Sequence, residues 1–425
     1  MSAYEDIRTI VLERVEDERL DPRVDVHKVT EVITTEVRRY QDRTSIEPAL
    51  LPLRDPSDME DRIRRSISGF GPLTDVLARS DIEEILIEGS RVSFIDGTGR
   101  LQALEQTSTE DELYHIVKRL LDETDRRLDQ SSPMVQARVL DGSARLTAVI
   151  PPVSDEISVT IRKYALRRET LQALVNQRSL SAPAAGFLWA IAQARTSLVL
   201  SGQPSSGKTT MLSALLAASP SHHIIRCAEE VRELNVPLAV GSFYETRPPS
   251  LDGKGEISLR GLVKTILGQR PFRIVVGEVR GAEAFELTRA ANAGCGFYAT
   301  VHANTARDGL KALVNAAMMA GENVQADFVR QVFADTIDFV VHLDADPVAR
   351  PDGGLRRRVM EILQVLPTMA GADFTTEPIF HREHLGSELK WTGRLPHDSL
   401  RELLDRSLPE EFTVHDILEG RVSPL

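Results

Sequence analysis

Leu198-Val-Leu-Ser-Gly202-Gln-Pro204-Ser205-Ser206-Gly207-Lys208-Thr209-Thr210 carries a short apolar run into a loop of the form GxxxxGK[ST], and Met211-Leu-Ser-Ala-Leu-Leu-Ala-Ala218 follows with helix-forming residues. A buried strand, a glycine-bearing loop and a helix in that order are the setting in which a phosphate-binding loop works. Gly202 and Gly207 let the backbone curl so that successive N–H groups face phosphate oxygens, and the positive end of the following helix sits under the same anion. Pro204, Ser205, Ser206 and Thr210 complete the cradle. Lys208 reaches the β- and γ-phosphates, and the Thr209 hydroxyl ligates Mg²⁺. The stretch predicts a nucleoside triphosphate site within an α/β unit.

At 425 residues the chain exceeds a single typical core, so two or three domains are expected. Its net charge of −12 argues against nucleic acid as the main partner, because phosphate backbones are held by clustered Lys and Arg. The two cysteines, Cys227 and Cys295, offer neither a disulfide framework nor metal-ligand spacing, which suits a reducing cytosol. The opening residues are too polar and acidic for a signal peptide, and no apolar run approaches a bilayer-spanning length. The expected location is cytoplasmic. Work at a membrane would proceed from its cytosolic face through other proteins.

Outward from the loop, the texture divides the chain into five parts. Residues 1–60 read as charged helices, with Ile7, Ile10, Val11 and Val15 on one face and Val26, Val29, Ile33 and Val37 on another. Each stripe is narrow enough to need a partner. Residues 61–164 read as a small α+β domain: strands flank the Gly89-Ser90 break, a helix spans about Thr109–Asp122, and Asp141-Gly142 marks a hairpin. Residues 165–183, with Arg167-Arg168, read as a linker. Residues 184–370 alternate helix and strand, which implies a largely parallel sheet with nucleotide at the strand ends. Residues 371–425 read as a C-terminal extension.

Three further segments complete the predicted site. Arg273-Ile-Val-Val-Gly277-Glu278 is an apolar strand ending in a carboxylate that can orient water or hold the Mg²⁺ shell. Ile224-Ile-Arg-Cys-Ala-Glu229-Glu230 is a second such strand, with either glutamate a candidate general base. Tyr298-Ala-Thr-Val-His302-Ala-Asn304-Thr305 leads into a helix that Thr305 and Asp308 open as a capping box, placing His302 where it can sense a phosphate. Arg247, Arg260 and Arg270 lie in or near a basic loop suited to meeting phosphate charge across a subunit boundary, since arginine donates in a fixed fork.

Taken together, GQPSSGKTT, AEEVREL, RPFRIVVGEVRG and ATVHANTARD resemble the Walker A, Asp box, Walker B and His box of the secretion-superfamily ATPases. GFGPLTDVLARSDIEEILIEG, RLTAVIPP and TRPPSLDGKGEISLRGLVKTILGQRP are most similar to the CpaF/TadA-type ATPases of tight-adherence (Flp) pili. The resemblance covers about Ser66 to Leu366. It implies a RecA-like P-loop ATPase domain preceded by a small PAS-like α+β domain, with ATP and Mg²⁺ as cofactors. It assigns Glu229, Glu278 and His302 to catalysis, and Thr209 and Glu278 to the metal. Arg138, Arg145 and Arg162 of the preceding domain are its candidates for reaching nucleotide, and Arg247, Arg260 and Arg270 match its arginine-bearing loop. The chain departs from the family pattern at Glu229-Glu230, where Glu-Asp is usual, and at Gly294-Cys295, where Gly-His is usual. The resemblance further implies a homohexameric ring acting on an inner-membrane platform protein for pilus assembly or secretion.

Three other classes fit the sequence less well. A nucleic-acid translocase or recombinase is disfavoured by the acidic balance, and a transporter ATPase by the lack of a separate signature downstream of the LSGQ letters. A non-hydrolysing regulator sits poorly with the presence of Lys208, Glu278 and His302.

Overall fold

The computed structural model describes residues 3–346 and 356–425, apart from 23, 48–49, 98, 106–107, 125, 165–168, 235, 248, 250–253 and 372. Arg167-Arg168 therefore lie outside the described residues. The chain folds as two compact units, 1–165 and 166–425.

The first unit opens with three helices, α1 (Ala3–Asp17), α2 (Val26–Thr44) and α3 (Pro56–Ser68). Most of the two narrow stripes packs together: Ile7, Val11, Val15, Val29, Ile33 and Val37 join Ile63 in one buried cluster, while Ile10 is only partly covered and Val26 is exposed. Asp55 caps α3 by accepting from the Ser57 and Asp58 amides, with Pro56 at the first helical position. The remainder comprises α4 (Leu73–Ala78), β1 (Ile82–Glu88), β2 (Arg91–Asp96), β3 (Leu101–Ala103), α5 (Glu110–Leu121), β4 (Met134–Val139), β5 (Ala144–Val149) and β6 (Ser158–Lys163). The six strands form a sheet of order β3-β2-β1-β6-β5-β4 with antiparallel pairing throughout. Alternation decides its faces. In β5, Ala144, Leu146 and Ala148 are buried while Arg145 and Thr147 face outward.

The second unit begins with α6 (Leu171–Asn176) and α7 (Ala182–Gln193), followed by β7 (Leu198–Gly202), α8 (Lys208–Ala217), β8 (Ile225–Glu229) and β9 (Gly241–Glu245). Then come α9 (Leu259–Leu267), β10 (Arg273–Val276), α10 (Glu283–Asn292), β11 (Gly296–Val301), α11 (Ala306–Met318), α12 (Ala326–Thr336) and β12 (Phe339–Asp346). The chain closes with β13 (Arg356–Ala370), β14 (Asp373–His381), β15 (Lys390–Trp391), α13 (Asp398–Ser407) and α14 (Val414–Leu418). The nine strands lie in the order β15-β14-β13-β12-β7-β11-β10-β8-β9. From β12 to β9 they run parallel, and beyond β12 they are antiparallel.

The central strands β7, β10 and β11 are buried at every position, as strands covered on both faces must be. Period two sorts their side chains between two cores. Leu198, Leu200, Val275 and Tyr298 join the core beneath α7 and α8, whereas Val199, Ile274, Val276 and Phe297 join the core beneath α9 to α12. Fully buried Arg273 donates to the Ala192 and Ala194 carbonyls at the end of α7, satisfying helix-end acceptors with a charged donor.

Two of the expected segments contribute to the second unit's core. The segment read as a linker carries α6, whose Leu171 and Leu174 lie in the second unit's core together with Leu180. The segment read as an extension belongs to the same core: Phe380, Leu404, Val414 and Ile417 are buried in it. Gly186 of α7 admits α14 closely, since a Cβ there would stand 2.9 Å from Ile417. Short, irregular elements with few periodic repeats hide such packing from a sequence reading.

Candidate functional site

The phosphate-binding loop follows β7, and its shape rests on three residues with positive φ. Gly202 (φ 158°) is a close approach: a Cβ would stand 2.4 Å from the Leu343 carbonyl. Ser205 (φ 62°) and Gly207 (φ 96°) are left-handed. Gly207 opens α8 without a side-chain cap, so the helix's first amides are left for an anion. Ser206 is buried, and its hydroxyl has no hydrogen-bond partner among the described residues. Pro204 and Ser205 are exposed, and Thr210 is half-buried. An uncapped helix start and an unpaired hydroxyl fit a phosphate chain.

Strand order brings the remaining groups to the same edge of the sheet, because β7, β11, β10 and β8 are parallel neighbours. Lys208 Nζ folds back on the Gly202 and Gln203 carbonyls at 2.8 and 2.9 Å and lies 3.3 Å from His302 Nδ1. An ammonium can only donate, so Nδ1 accepts and Nε2 carries the imidazole proton. That nitrogen meets Glu278, whose other oxygen is held by Arg280. Arg280 also stands 3.8 Å from Glu230. Gln203 of the loop is bridged to Asn304, two residues beyond the histidine. Burial lowers Lys208 to a pKa of about 8 against the pull of Glu278. Burial, and then Lys208, hold His302 below its ordinary value.

Glu229 ends β8 and turns its side chain toward the following turn. Its carboxylate is buried and accepts from the Glu233 and Leu234 amides at 3.0 and 3.1 Å. Desolvation outweighs those donors and raises its pKa to about 7. The carboxylate that meets Thr209 is Glu233, whose Oε2 accepts from Oγ1 at 3.2 Å. The sequence does not single out Glu233 or Arg280. Both lie in the quoted segments, but in turns where no periodicity distinguishes one charged residue from the next.

The predicted arginines fall in two places. In the first unit, Arg138 faces Arg145 and Arg145 faces Arg162 in register, forming an outward row across three strands. Arg162 is ion-paired to Glu84 at 3.1 Å, and Arg145 donates to Gln136 at 3.0 Å. In the second unit, Arg260 binds nearly fully buried Glu286 at 2.8 Å, alongside Arg289 at 3.1 Å and Lys264 at 3.7 Å. Arg247 donates to the Gly255 carbonyl at 2.7 Å. Arg270 is exposed in a left-handed turn (φ 48°) before β10. None of these last three is brought to Lys208 within the described residues.

Thr209 and Glu233 are oxygen donors of the hard type that Mg²⁺ takes, and among the described residues no group of three or more His, Cys, Asp or Glu could hold a metal ion. No helix among the described residues is long and apolar enough to cross a membrane.

A protein of Mycobacterium tuberculosis, provisionally named for conjugal transfer, is 32% identical over 309 residues, covering 71% of this chain and 85% of its own length. The type IV secretion system protein PtlH of Bordetella pertussis is 28% identical over 314 residues, covering 67% of this chain and 91% of its own. Among solved structures, the ATPase DotB of Yersinia pseudotuberculosis shares the fold at a TM-score of 0.50 and 18% identity, covering 69% of this chain and 77% of its own. The expected RecA-like α/β class is borne out. Residues 67–342 match the family model described as type II/IV secretion system protein, and the chain belongs to that family.

Proposed function

We propose that the chain hydrolyses ATP with Mg²⁺ and that this drives a secretion or pilus machine from the cytosolic face of a membrane. The observation that carries the reading is the meeting of Lys208, Thr209, Glu233, Glu278 and His302 at one edge of a parallel sheet, around an uncapped helix start. Bound Mg²⁺ would neutralise phosphate charge, with Thr209, Glu233 and Glu278 as its nearest protein donors. Lys208 would exchange two neutral carbonyls for phosphate oxygens, which are the stronger acceptors for a cation. Release of the lysine from His302 frees the imidazole to turn toward the incoming charge. Glu278, no longer shared with His302, is then available to position water. Glu229 acts one step back by fixing the turn that presents Glu233.

Hydrolysis needs compensation of charge that builds on the transferred phosphoryl group. Arg138, Arg145 and Arg162 of the first unit, and Arg247 and Arg270 of the second, are proposed to supply it on assembly. Arg260 is proposed to support its loop through Glu286. A homohexameric ring with sites completed between bodies makes hydrolysis depend on closure, and closure becomes motion. The segments similar to CpaF/TadA ATPases favour Flp-pilus assembly through an inner-membrane platform protein. The relatives named for conjugal transfer and type IV secretion favour a second reading, export through a transfer channel.

The test is steady-state MgATP turnover per protomer over a wide range of protein concentration, with Lys208→Ala as the blank. Specific activity that climbs with concentration supports a site completed by assembly. No turnover above the blank at any concentration counts against the ATPase reading.

A further inference from the structure

We propose that Arg357, at the start of β13, is a positioning residue for the nucleotide loop: it holds Ser205 in its left-handed conformation and so sets affinity for the phosphate chain. The inference rests on the reading of 202–209 as an ATP site.

Ser205 has φ 62°, a conformation that residues with a side chain resist. Its neighbours give it little latitude. Gly202 is pressed against the Leu343 carbonyl, and Ser206 donates its amide to the Gln203 carbonyl at 3.2 Å. Across the loop, Arg357 Nε donates to the Ser205 carbonyl at 3.0 Å. The arginine stem covers Gly207 as well, with Cδ 3.5 Å and Cβ 3.8 Å from where a glycine Cβ would stand. One side chain thus grips the strained carbonyl and roofs the glycine that opens α8.

Arg357 is itself held in place. Its carbonyl accepts from Ser179 Oγ at 2.8 Å, the Val359 amide donates to the Ser179 carbonyl at 3.1 Å, and Arg358 donates to the Gln177 carbonyl at 3.1 Å. The start of β13 is therefore stitched to residues 177–179, directly after α6. A residue that pins the cradle should alter binding more than chemistry.

The experiment uses the full chain and compares wild type, R357A, R357K, S205G and the S205G/R357A pair. Measured quantities are MgADP affinity by calorimetry, ATP KM and kcat, and thermal unfolding. R357A is expected to raise the MgADP Kd and the ATP KM about tenfold, the scale of one hydrogen bond from a charged donor. Saturated kcat should stay within about twofold, and R357K should recover part of the affinity. Glycine adopts positive φ freely, so the loss caused by R357A should shrink in the S205G background. Unchanged Kd and KM in R357A, a fall in kcat alone, or equal losses in both backgrounds would overturn the inference. If R357A fails to fold, R357Q replaces it under the same criteria. Wild-type protein that binds no MgADP overturns the ATP reading and this inference with it; wild-type binding matched by R357A overturns this inference alone.

Discussion

Gly277 and Glu229 are packed so closely that a Cβ on the glycine would stand 2.7 Å from Glu229 Cγ. The glycine cannot retreat, because its amide donates to the Ala228 carbonyl at 2.9 Å where β8 and β10 run side by side. Gly277→Ala must displace Glu229, and with it the turn that presents Glu233 to Thr209. We expect a stability loss of about 1–3 kcal/mol, typical of overpacking, together with reduced turnover. Denaturant midpoints at constant m-value measure the first and steady-state hydrolysis the second. A variant as stable and active as its parent would remove Glu229 from this account.

Two buried carboxyl groups predict how stability depends on pH. Desolvation raises Glu229 from 4.5 to about 7 and Asp338 from 3.8 to about 7, each against the pull of backbone donors. A carboxyl raised in the folded state keeps a proton that the unfolded chain has already released. Its contribution is therefore complete below about pH 4, is lost as pH rises toward 7, and is flat above. At about 1.4 kcal/mol per unit, each group accounts for on the order of 3 to 4 kcal/mol across that window. Glu229→Gln should shrink the loss between about pH 5 and 7.5, measured by denaturation at each pH. A steeper fall in the variant would show that the Glu229 carboxyl is not raised in the folded state.

Lys208 gives a second pH prediction, read from binding. Burial holds its pKa at about 8, so above that value the empty site holds a neutral amine that must regain a proton to meet phosphate. The MgADP Kd should be flat below about pH 8 and rise by up to tenfold per unit above it. Glu278 supports the charged form, so Glu278→Gln should move the break to lower pH. Calorimetric titrations at several pH values decide the matter. A Kd that stays constant into the alkaline range would show that the lysine remains charged.

The P-loop, the strand ending at Glu278 and the helix capped by Thr305 are legible in the sequence because each couples a period to a punctuation. An apolar run stops at glycine or acid, or a threonine stands three residues before an aspartate. Glu229 is legible as a strand end, but not its direction. Whether its carboxylate turns to the nucleotide or to the Glu233 amide depends on a turn whose hydrogen bonds leave no spacing signal. The same limit hides the role of Glu233, and it hides α6 and the C-terminal helices, whose burial comes from non-local packing against α7. Arg260 reads as a phosphate contact because its loop is basic. Its partner Glu286 lies on another helix, beyond the reach of local patterning.

The arginine row of the first unit separates a functional from a structural role by the sign of a stability change. Arg138, Arg145 and Arg162 are direct cross-strand neighbours on the outward face, and like charges so placed destabilise a sheet. Glu84 pairs with Arg162, and Gln136 gives Arg145 a neutral acceptor. The middle residue therefore sits between two cations with an amide oxygen, not a carboxylate, as its acceptor. If folding were its purpose, Arg145→Ala would cost stability. If the row exists to meet phosphate charge, the same variant should be as stable as its parent, or more stable by up to about 0.5 kcal/mol, while turnover falls about tenfold or more. Salt supplies the control, since screening should narrow the stability difference between parent and variant. Thermal unfolding at low and high ionic strength, paired with hydrolysis rates, tests both halves. A destabilised but fully active Arg145→Ala protein would assign the row to the sheet and not to the nucleotide.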